Sequence, residues 1–214
     1  MYVPAHFSVP DSEALHRLIR ENPLGILVTH GERGLAANHL PFELDPKEGE
    51  HGVLRAHVAR SNGVWKDVGD GAEVLVIFRA EDAYVSPNWY PSKHESHRQV
   101  PTWNYRVVHA YGKIAIRDDE TFLRGLVGRL TRTHEASQPI PWQMGDAPKD
   151  YIDAMLKAIV GLQIDITRLV GKFKLSQNRE LRDRLSLGEA LKKQGDTALG
   201  QATLDATAGS THRG

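Results

Sequence analysis

The sequence contains 214 residues with no cysteine, and its 27 basic residues balance its 27 acidic ones. The lack of cysteine excludes disulfides, thiol nucleophiles and thiolate metal sites, and the zero net charge argues against a surface that binds nucleic acid throughout. No apolar run reaches the ~20 residues of a membrane-spanning helix, and the N-terminus lacks the basic and apolar regions of a signal peptide. We therefore expect a cytoplasmic protein that does not enter a membrane.

The first half of the chain predicts one helix and then a series of short strands. The helix begins at Asp11 or Ser12, which can cap it, and ends at Asn22, because a residue before proline disfavours the helical conformation. Gly31 and Gly34 bound a hairpin turn. Alternation and apolar runs predict strands over residues 24–30, 35–44, 52–58, 72–78 and 83–86.

The second half begins with a long loop over residues 87–101 and continues with an aromatic strand over residues 103–116. One face of this strand carries Trp103, Tyr105, Val107, His109 and Tyr111, and the other carries Asn104, Arg106, Val108 and Ala110. Aromatic rings beside amide and hydroxyl groups suit a flat, polar-edged ligand, although aromatic residues are also common in ordinary barrel strands. Helices are predicted from Asp118 and Pro148, a further strand over residues 162–169, and a last helix from Ser176 to about Lys193.

Few local motifs of catalysis or metal binding occur in the chain. The spacing of His94 and His97 can bind a metal on a helix, but these residues lie in a loop with no clear third ligand. We therefore interpret this segment as a solvated loop and predict no metal site. The sequence also contains no glycine-rich dinucleotide motif, no P-loop and no nucleophile elbow.

The order of the predicted elements favours one fold class. Six or seven mostly antiparallel strands with short links favour an α+β, mainly β fold, a closed or split β-barrel with peripheral helices, over a parallel α/β sheet. We expect a single domain over residues 1–195. Residues 196–214 are small and polar without periodicity, which predicts a disordered tail.

Two segments have the chemistry of anion binding. Arg60, Ser61 and Asn62 precede a short helix, so a guanidinium, a hydroxyl, an amide and free backbone N–H groups can converge on a monophosphate. A capped surface helix with a solvated arginine is the alternative. From Arg168 to Lys193 basic residues outnumber acidic ones, which permits contact with DNA but is also typical of a solvated helix face.

Six segments together resemble the PaiB family of FMN-binding negative transcriptional regulators. They are MYVPAHF at residues 1–7, NHLPF at 38–42, HVARSN at 57–62, YVSPNWY at 84–90, VPTWNY at 100–105 and GKFKLSQN at 171–178. The resemblance implies an FMN-binding split β-barrel of the pyridoxamine-phosphate-oxidase-like type. It also implies a homodimer with flavin at the subunit interface.

The resemblance assigns residues of this chain to the cofactor. The ring of FMN would lie along the strand that carries Ala37, Asn38, His39 and Leu40. The phosphate would be held where the next strand meets a helix, by His57, Arg60, Ser61, Asn62 and Trp65. The candidates that close the pocket from the partner chain are Trp103, Asn104, Lys172 and Gln177.

The sequence leaves open how such a site is used, and no catalytic residue is assigned. The family implies a repressor that acts as a homodimer, although no helix-turn-helix is evident. DNA contact would come from the basic region or be indirect. The alternative is a flavin-dependent oxidoreductase, in which His39, His57 or His109 could be a general acid or a structural residue. A third, weaker option is that the barrel binds haem through a histidine.

Overall fold

The computed structural model describes residues 1–208 of the chain. The chain divides into two compact units. Unit 1 comprises residues 1–18, 79–108 and the described residues from 170 onward, and unit 2 comprises residues 19–78 and 109–169. The single domain expected over residues 1–195 stays a prediction.

Eight strands form in this part of the chain, and most of them lie where the sequence predicts. They are β1 Ser8–Val9, β2 Leu24–Gly31, β3 Gly34–Pro41, β4 Glu43–Asp45, β5 Val53–Ala59, β6 Glu73–Val85, β7 Thr102–Arg117 and β8 Ile159–Lys174. The prediction of two strands between residues 72 and 86 was wrong, because β6 is continuous. Its charged middle is accommodated by ion pairs, such as the one between Glu81 and Arg106.

Seven α-helices form among residues 1–208, and none of them is long and apolar enough to cross a membrane. They are α1 Ser12–Glu21, α2 Val64–Asp67, α3 Pro91–Ser96, α4 Glu120–Glu135, α5 Lys149–Lys157, α6 Leu181–Gln194 and α7 Thr197–Ala208. The short helix α3 lies in the segment expected to be a loop and begins with proline at its first position. The helix expected from Ser176 begins instead at Leu181.

The expected disordered tail is wrong for the twelve residues that form α7, and residues 209–214 lie outside the described part. α7 packs on α6, where Leu199 is 1% exposed and Thr203 is fully buried. A Cβ added at Gly200 would lie 2.7 Å from the Gly188 carbonyl oxygen, so the two helices approach closely. The small residues that looked like a flexible tail are therefore those that allow this packing.

The sheet places β3 at one end of its strand order. The strands are hydrogen-bonded in the order β3-β2-β6-β7-β8-β5-β4, and β1 pairs with β8. β2 and β3 are antiparallel, with Gly31 opposite Gly34, whose φ of 90° suits the hairpin turn. β5 and β8 are also antiparallel, with His57 opposite Gly161.

Each unit has its own buried apolar residues. Unit 2 is filled by strand residues that include Leu27, Leu54, Val76, Leu162 and Ile164. Its helices α4 and α5 pack together through Leu123, Ile152 and Leu156. The core of unit 1 includes Tyr90, Leu175, Leu187, Leu191 and Leu199.

β7 has the two faces that its sequence predicts. Asn104, Val108 and Ala110 are buried, whereas Trp103 is 52% exposed. The face that carries the aromatic residues is therefore the more accessible one. At Gly112 a Cβ would lie 2.5 Å from a backbone carbonyl oxygen of β8, so any side chain at this position would press against the neighbouring strand.

Candidate functional site

The strand β3 has the properties needed to contact a flat ligand. Ala37 and His39 are exposed, Asn38 is half-buried and Leu40 is buried. All eight residues of β3 pair with β2, and β3 ends the strand order of the described chain. Small exposed side chains beside an unpaired strand edge let a planar group approach the backbone closely.

One hydrogen bond joins the two segments that the resemblance assigns to FMN. The side-chain nitrogen of Asn62, which follows β5, donates to Asn38 Oδ1 across 2.8 Å. The Asn62 side-chain oxygen accepts from the Val64 N–H across 3.0 Å and so holds the start of α2. Asn38 Nδ2 makes no hydrogen bond to another residue in the described range. Both of its N–H groups can therefore donate to a ligand.

Arg60 is paired within the protein. Its guanidinium forms a two-point ion pair with Asp118, in which Nη1 donates to Oδ2 across 2.8 Å. It also donates to the carbonyl oxygens of Lys157, at 2.7 Å, and Ile159, at 3.0 Å. The hydrogen bond from Arg60 holds the pKa of Asp118 below its ordinary value. Arg60 is thus paired within the protein although its side chain is 39% exposed, and an anion at this junction would have to share its donors.

Ser61 and Trp65 differ in what they offer to a ligand. Ser61 is exposed, and its hydroxyl makes no hydrogen bond within the part of the chain that the structure describes. The Trp65 indole N–H donates to the Arg60 carbonyl oxygen across 3.1 Å, and Lys66 Nζ lies 5.0 Å from the ring centroid. Trp65 therefore fixes the turn, while the Ser61 hydroxyl is available as a donor.

Two histidines of unit 2 carry a buried ring nitrogen without a partner. Nδ1 of His57 and Nδ1 of His109 make no hydrogen bond to any residue from 1 to 208. Burial lowers the pKa of both, so both imidazoles are neutral at neutral pH. Either could form a hydrogen bond with a ligand or serve only in packing. His39 is exposed, unlike both of them.

Trp103 and Asn104, predicted to close the pocket, lie in unit 1 and differ in burial. Trp103 is half-exposed and Asn104 is fully buried. Asn104 Oδ1 accepts a hydrogen bond from the Ser176 hydroxyl across 3.2 Å. Its Nδ2 is buried and has no partner among the described residues. A buried amide with one unpaired end is the kind of group that a ligand can satisfy.

The other two predicted residues of unit 1, Gln177 and Lys172, have different roles. The Gln177 amide closes its own loop, since it accepts from the Leu175 N–H at 2.8 Å and donates to a carbonyl oxygen at 2.6 Å. Lys172 Nζ lies 5.8 Å from the ring centroid of Tyr2 and 5.4 Å from that of Tyr105. Gln177 is therefore structural in this conformation, whereas Lys172 retains donors for a ligand.

Lys174 is not among the predicted site residues, but it contacts the segment that carries Trp103. Its Nζ donates to the Trp103 carbonyl oxygen across 2.7 Å and to the Thr102 hydroxyl. The only sign of this contact in the sequence is that Lys174 lies two residues after Lys172, which puts both lysines on one face of the strand.

Thirteen residues are predicted to bind FMN, four of them in unit 1 and the other nine in unit 2. A single site formed by all thirteen stays a prediction.

The basic helix α6 has less unpaired charge than its sequence indicates. Arg182 donates to both carboxylate oxygens of Glu95, at 2.6 and 2.7 Å, and to Glu180 at 3.0 Å. Arg184 is buried and donates to a carbonyl oxygen of α7. Contact with DNA through this region stays a prediction.

Between residues 1 and 208 no three histidine or acidic side chains gather as a metal site. His94, one of the two histidines with metal-ligand spacing, has its Nε2 3.3 Å from a backbone oxygen.

Known proteins resemble this chain over most of its length. Residues 1–168 match a family described as "Putative FMN-binding domain". The protease synthase and sporulation protein PAI 2 of Bacillus subtilis is 32% identical over 91% of this chain and 90% of that protein. An uncharacterized protein of Emericella nidulans is 36% identical over 86% of this chain and 87% of that protein.

A solved structure also shares the fold. The FAD and heme binding protein from Mycobacterium smegmatis is similar with a TM-score of 0.52 and 17% identity, over 78% of this chain and 73% of that chain. At this identity the likeness concerns the fold alone. The predicted α+β fold, a split β-barrel with peripheral helices, is confirmed. With the family match over residues 1–168 and the relative PAI 2, the chain belongs to the PaiB family of FMN-binding-domain proteins.

Proposed function

We propose that the protein binds FMN along β3 and at the junction of β5 with α2. The hydrogen bond between Asn38 and Asn62 carries this proposal, because it joins the segments assigned to the ring and to the phosphate. Exposed Ala37 and His39 leave the strand accessible. Asn38 and Ser61 offer donors that are unpaired within residues 1–208. These groups fit a planar ring that carries a monophosphate.

In this proposal Arg60 supports the junction more than it binds the phosphate. Its donors are held by Asp118 and by two backbone carbonyl oxygens. The phosphate would therefore accept hydrogen bonds from the Ser61 hydroxyl and from nearby backbone N–H groups. Arg60 would contribute positive charge at longer range, partly cancelled by its acid partner.

Titration of the purified protein with FMN, followed by gel filtration, tests the cofactor. We expect flavin absorbance to travel with the protein, and Ser61→Ala to raise the Kd by roughly fivefold, the effect of one lost hydrogen bond. Ser137→Ala, at another exposed serine of unit 2, is the matched control and should bind FMN as the wild type does. A protein that retains no flavin would refute the proposal.

We further propose, from the family resemblance, that the flavin-bound protein is a cytoplasmic homodimer that represses transcription. DNA would contact the region from Arg168 to Lys193, through Arg179 and Lys193, which form no ion pair within residues 1–208. Selection from random-sequence duplex DNA tests this, with light scattering to measure the dimer. The double variant Arg179→Glu, Lys193→Glu should lose DNA and keep FMN. A selection that enriches no sequence would contradict the repressor role.

A flavin-dependent oxidoreductase is the second candidate. The unpartnered Nδ1 atoms of His57 and His109 favour it, because an imidazole of this kind can exchange a proton with a ligand. Bound FMN would supply hydride-transfer chemistry, and the chain would position and shield it. The test is oxidation of NADH or NADPH by the flavin-loaded protein. Turnover no faster than that of free FMN would exclude this use with these donors.

A further inference from the structure

A group of three cations at and just after the end of β8, in unit 1, lacks a carboxylate partner among residues 1–208. Lys172, Lys174 and Arg179 are all half-buried, and none of them forms an ion pair with an acid among residues 1–208. Acidic side chains of the same unit are paired elsewhere, since Glu81 binds Arg106 and Glu180 binds Arg182. The positive charge of this group is therefore not neutralised by the described chain.

Lys172 and Lys174 are two residues apart on β8, so their side chains share one face of the strand. The charge of Arg179 also acts on Lys174. Burial lowers the pKa of Lys174, and the positive charges of Lys172 and Arg179 lower it further. Lys174 Nζ uses two of its three donors, on the Trp103 carbonyl oxygen and the Thr102 hydroxyl. Its third N–H makes no hydrogen bond within residues 1–208. Half-buried like charges disfavour the charged state unless an anion offsets them.

Aromatic rings lie near two of these charges, and the Arg179 guanidinium is 5.5 Å from the ring centroid of Tyr90. Lys172 Nζ donates to the Tyr2 carbonyl oxygen across 3.2 Å and lies near the rings of Tyr2 and Tyr105. Trp103 meets Tyr84 edge-on with ring centroids 6.1 Å apart, and the two residues are 52% and 47% exposed. Unpaired cations beside exposed aromatic rings match a ligand that has both a negative charge and a flat ring.

We propose that the cationic cluster of Lys172, Lys174 and Arg179 binds a small aromatic anion. The carboxylate or phosphate of this ligand accepts hydrogen bonds from the cluster, and its ring packs against Trp103 and Tyr105. The ligand is a second one, distinct from FMN. Because Lys172 and Trp103 are also predicted to close the flavin pocket, the test relies on Lys174 and Arg179.

Calorimetric titration of the full chain with 2-naphthoate, 2-naphthyl phosphate and the neutral 2-naphthamide tests the proposal. We expect at least one anion to bind and the amide not to bind, and the preferred anion distinguishes a carboxylate ligand from a phosphate. The double variant Lys174→Met, Arg179→Gln should bind at least about tenfold more weakly, since each charge-assisted hydrogen bond is worth about that factor. The control Arg17→Gln, Arg98→Gln removes the same charge from exposed positions of unit 1 and should keep the affinity.

Several outcomes would overturn this site. They are failure of both anions to bind, equal binding of the amide, and unchanged affinity in the double variant. If the double variant lost FMN affinity as strongly as naphthoate affinity, the cluster would belong to the flavin phosphate instead. Should the double variant not fold, Arg179→Gln alone carries the test, because this guanidinium makes no hydrogen bond within the described chain. Lys174→Arg, which keeps the charge, should retain binding.

Discussion

Removal of the Asn38 amide tests the proposed flavin site most directly. Asn38→Ala deletes the acceptor of the bond from Asn62 and the two N–H donors proposed to face the ligand. A hydrogen bond between neutral groups contributes about 1 kcal/mol net, so we expect the free energy of unfolding to fall by about that amount. Loss of a further hydrogen bond to FMN should raise the Kd by about fivefold, since 1.4 kcal/mol corresponds to a factor of ten.

A double-mutant cycle separates the effect on stability from the effect on binding. With Asn38→Ala and Asn62→Ala, urea denaturation should give a coupling of about 0.5–1.5 kcal/mol. Fluorescence titration of the same proteins gives the FMN Kd. Gln163→Ala is the control, because it removes an amide of unit 2 that donates to Asp165 across 3.0 Å, and it should leave the Kd unchanged. If both asparagine variants keep the wild-type Kd, the flavin does not lie along β3.

Three further predictions concern the stability of the fold and are measured by urea denaturation. Burial lowers the pKa of His109 below its ordinary 6.5, so the folded state favours the neutral imidazole. The resulting contribution to the free energy of unfolding is complete above pH 6.5 and is lost as the pH falls through the lowered pKa. His109→Gln should therefore weaken the acid dependence, and an unchanged dependence would exclude this histidine as its source. Gly112→Ala should cost about 1–3 kcal/mol because its methyl group meets a backbone carbonyl. Gly69→Ala, with nothing within 4 Å, should be nearly neutral, and equal costs would contradict the close strand approach. Leu199→Ala should lower the free energy of unfolding by about 2–5 kcal/mol, and Leu185→Ala, at an exposed position, should lower it much less. An unchanged free energy for Leu199→Ala would mean that α7 does not pack on α6.

The strands could be predicted from the sequence because burial of alternate residues leaves a direct pattern in it. The pattern failed at β6, whose middle is charged. Glu81 is accommodated there by Arg106, which lies on another strand, so no local pattern reveals the pairing. It failed again at α7, because the residues that let two helices approach closely, such as Gly200, are the same residues that occur in flexible tails.

The candidate site was predicted at the level of segments more than of individual contacts. Residue chemistry and resemblance both selected the junction that contains Asn62, and the resemblance added the strand that contains Asn38. That these two side chains meet depends on how β3 and β5 are placed by the sheet, which neither residue encodes locally. Gln177 was selected because its motif is specific, yet its amide closes a loop. A specific motif identifies an important segment without separating ligand contacts from loop supports.

Local density of lysine and arginine is a poor guide to where an anion binds. Arg60 and Arg182, which the sequence favours for phosphate and for DNA, are paired with Asp118 and Glu95. An anion that displaced either acid would leave a carboxylate unpaired, so the net gain would be small. Lys174 has no acid partner among residues 1–208, and its pKa is lowered. An anion bound there stabilises the charged form of the lysine and replaces no existing pair. Anion affinity should therefore follow the unpaired cations at the end of β8, even though the sequence around α6 is equally basic.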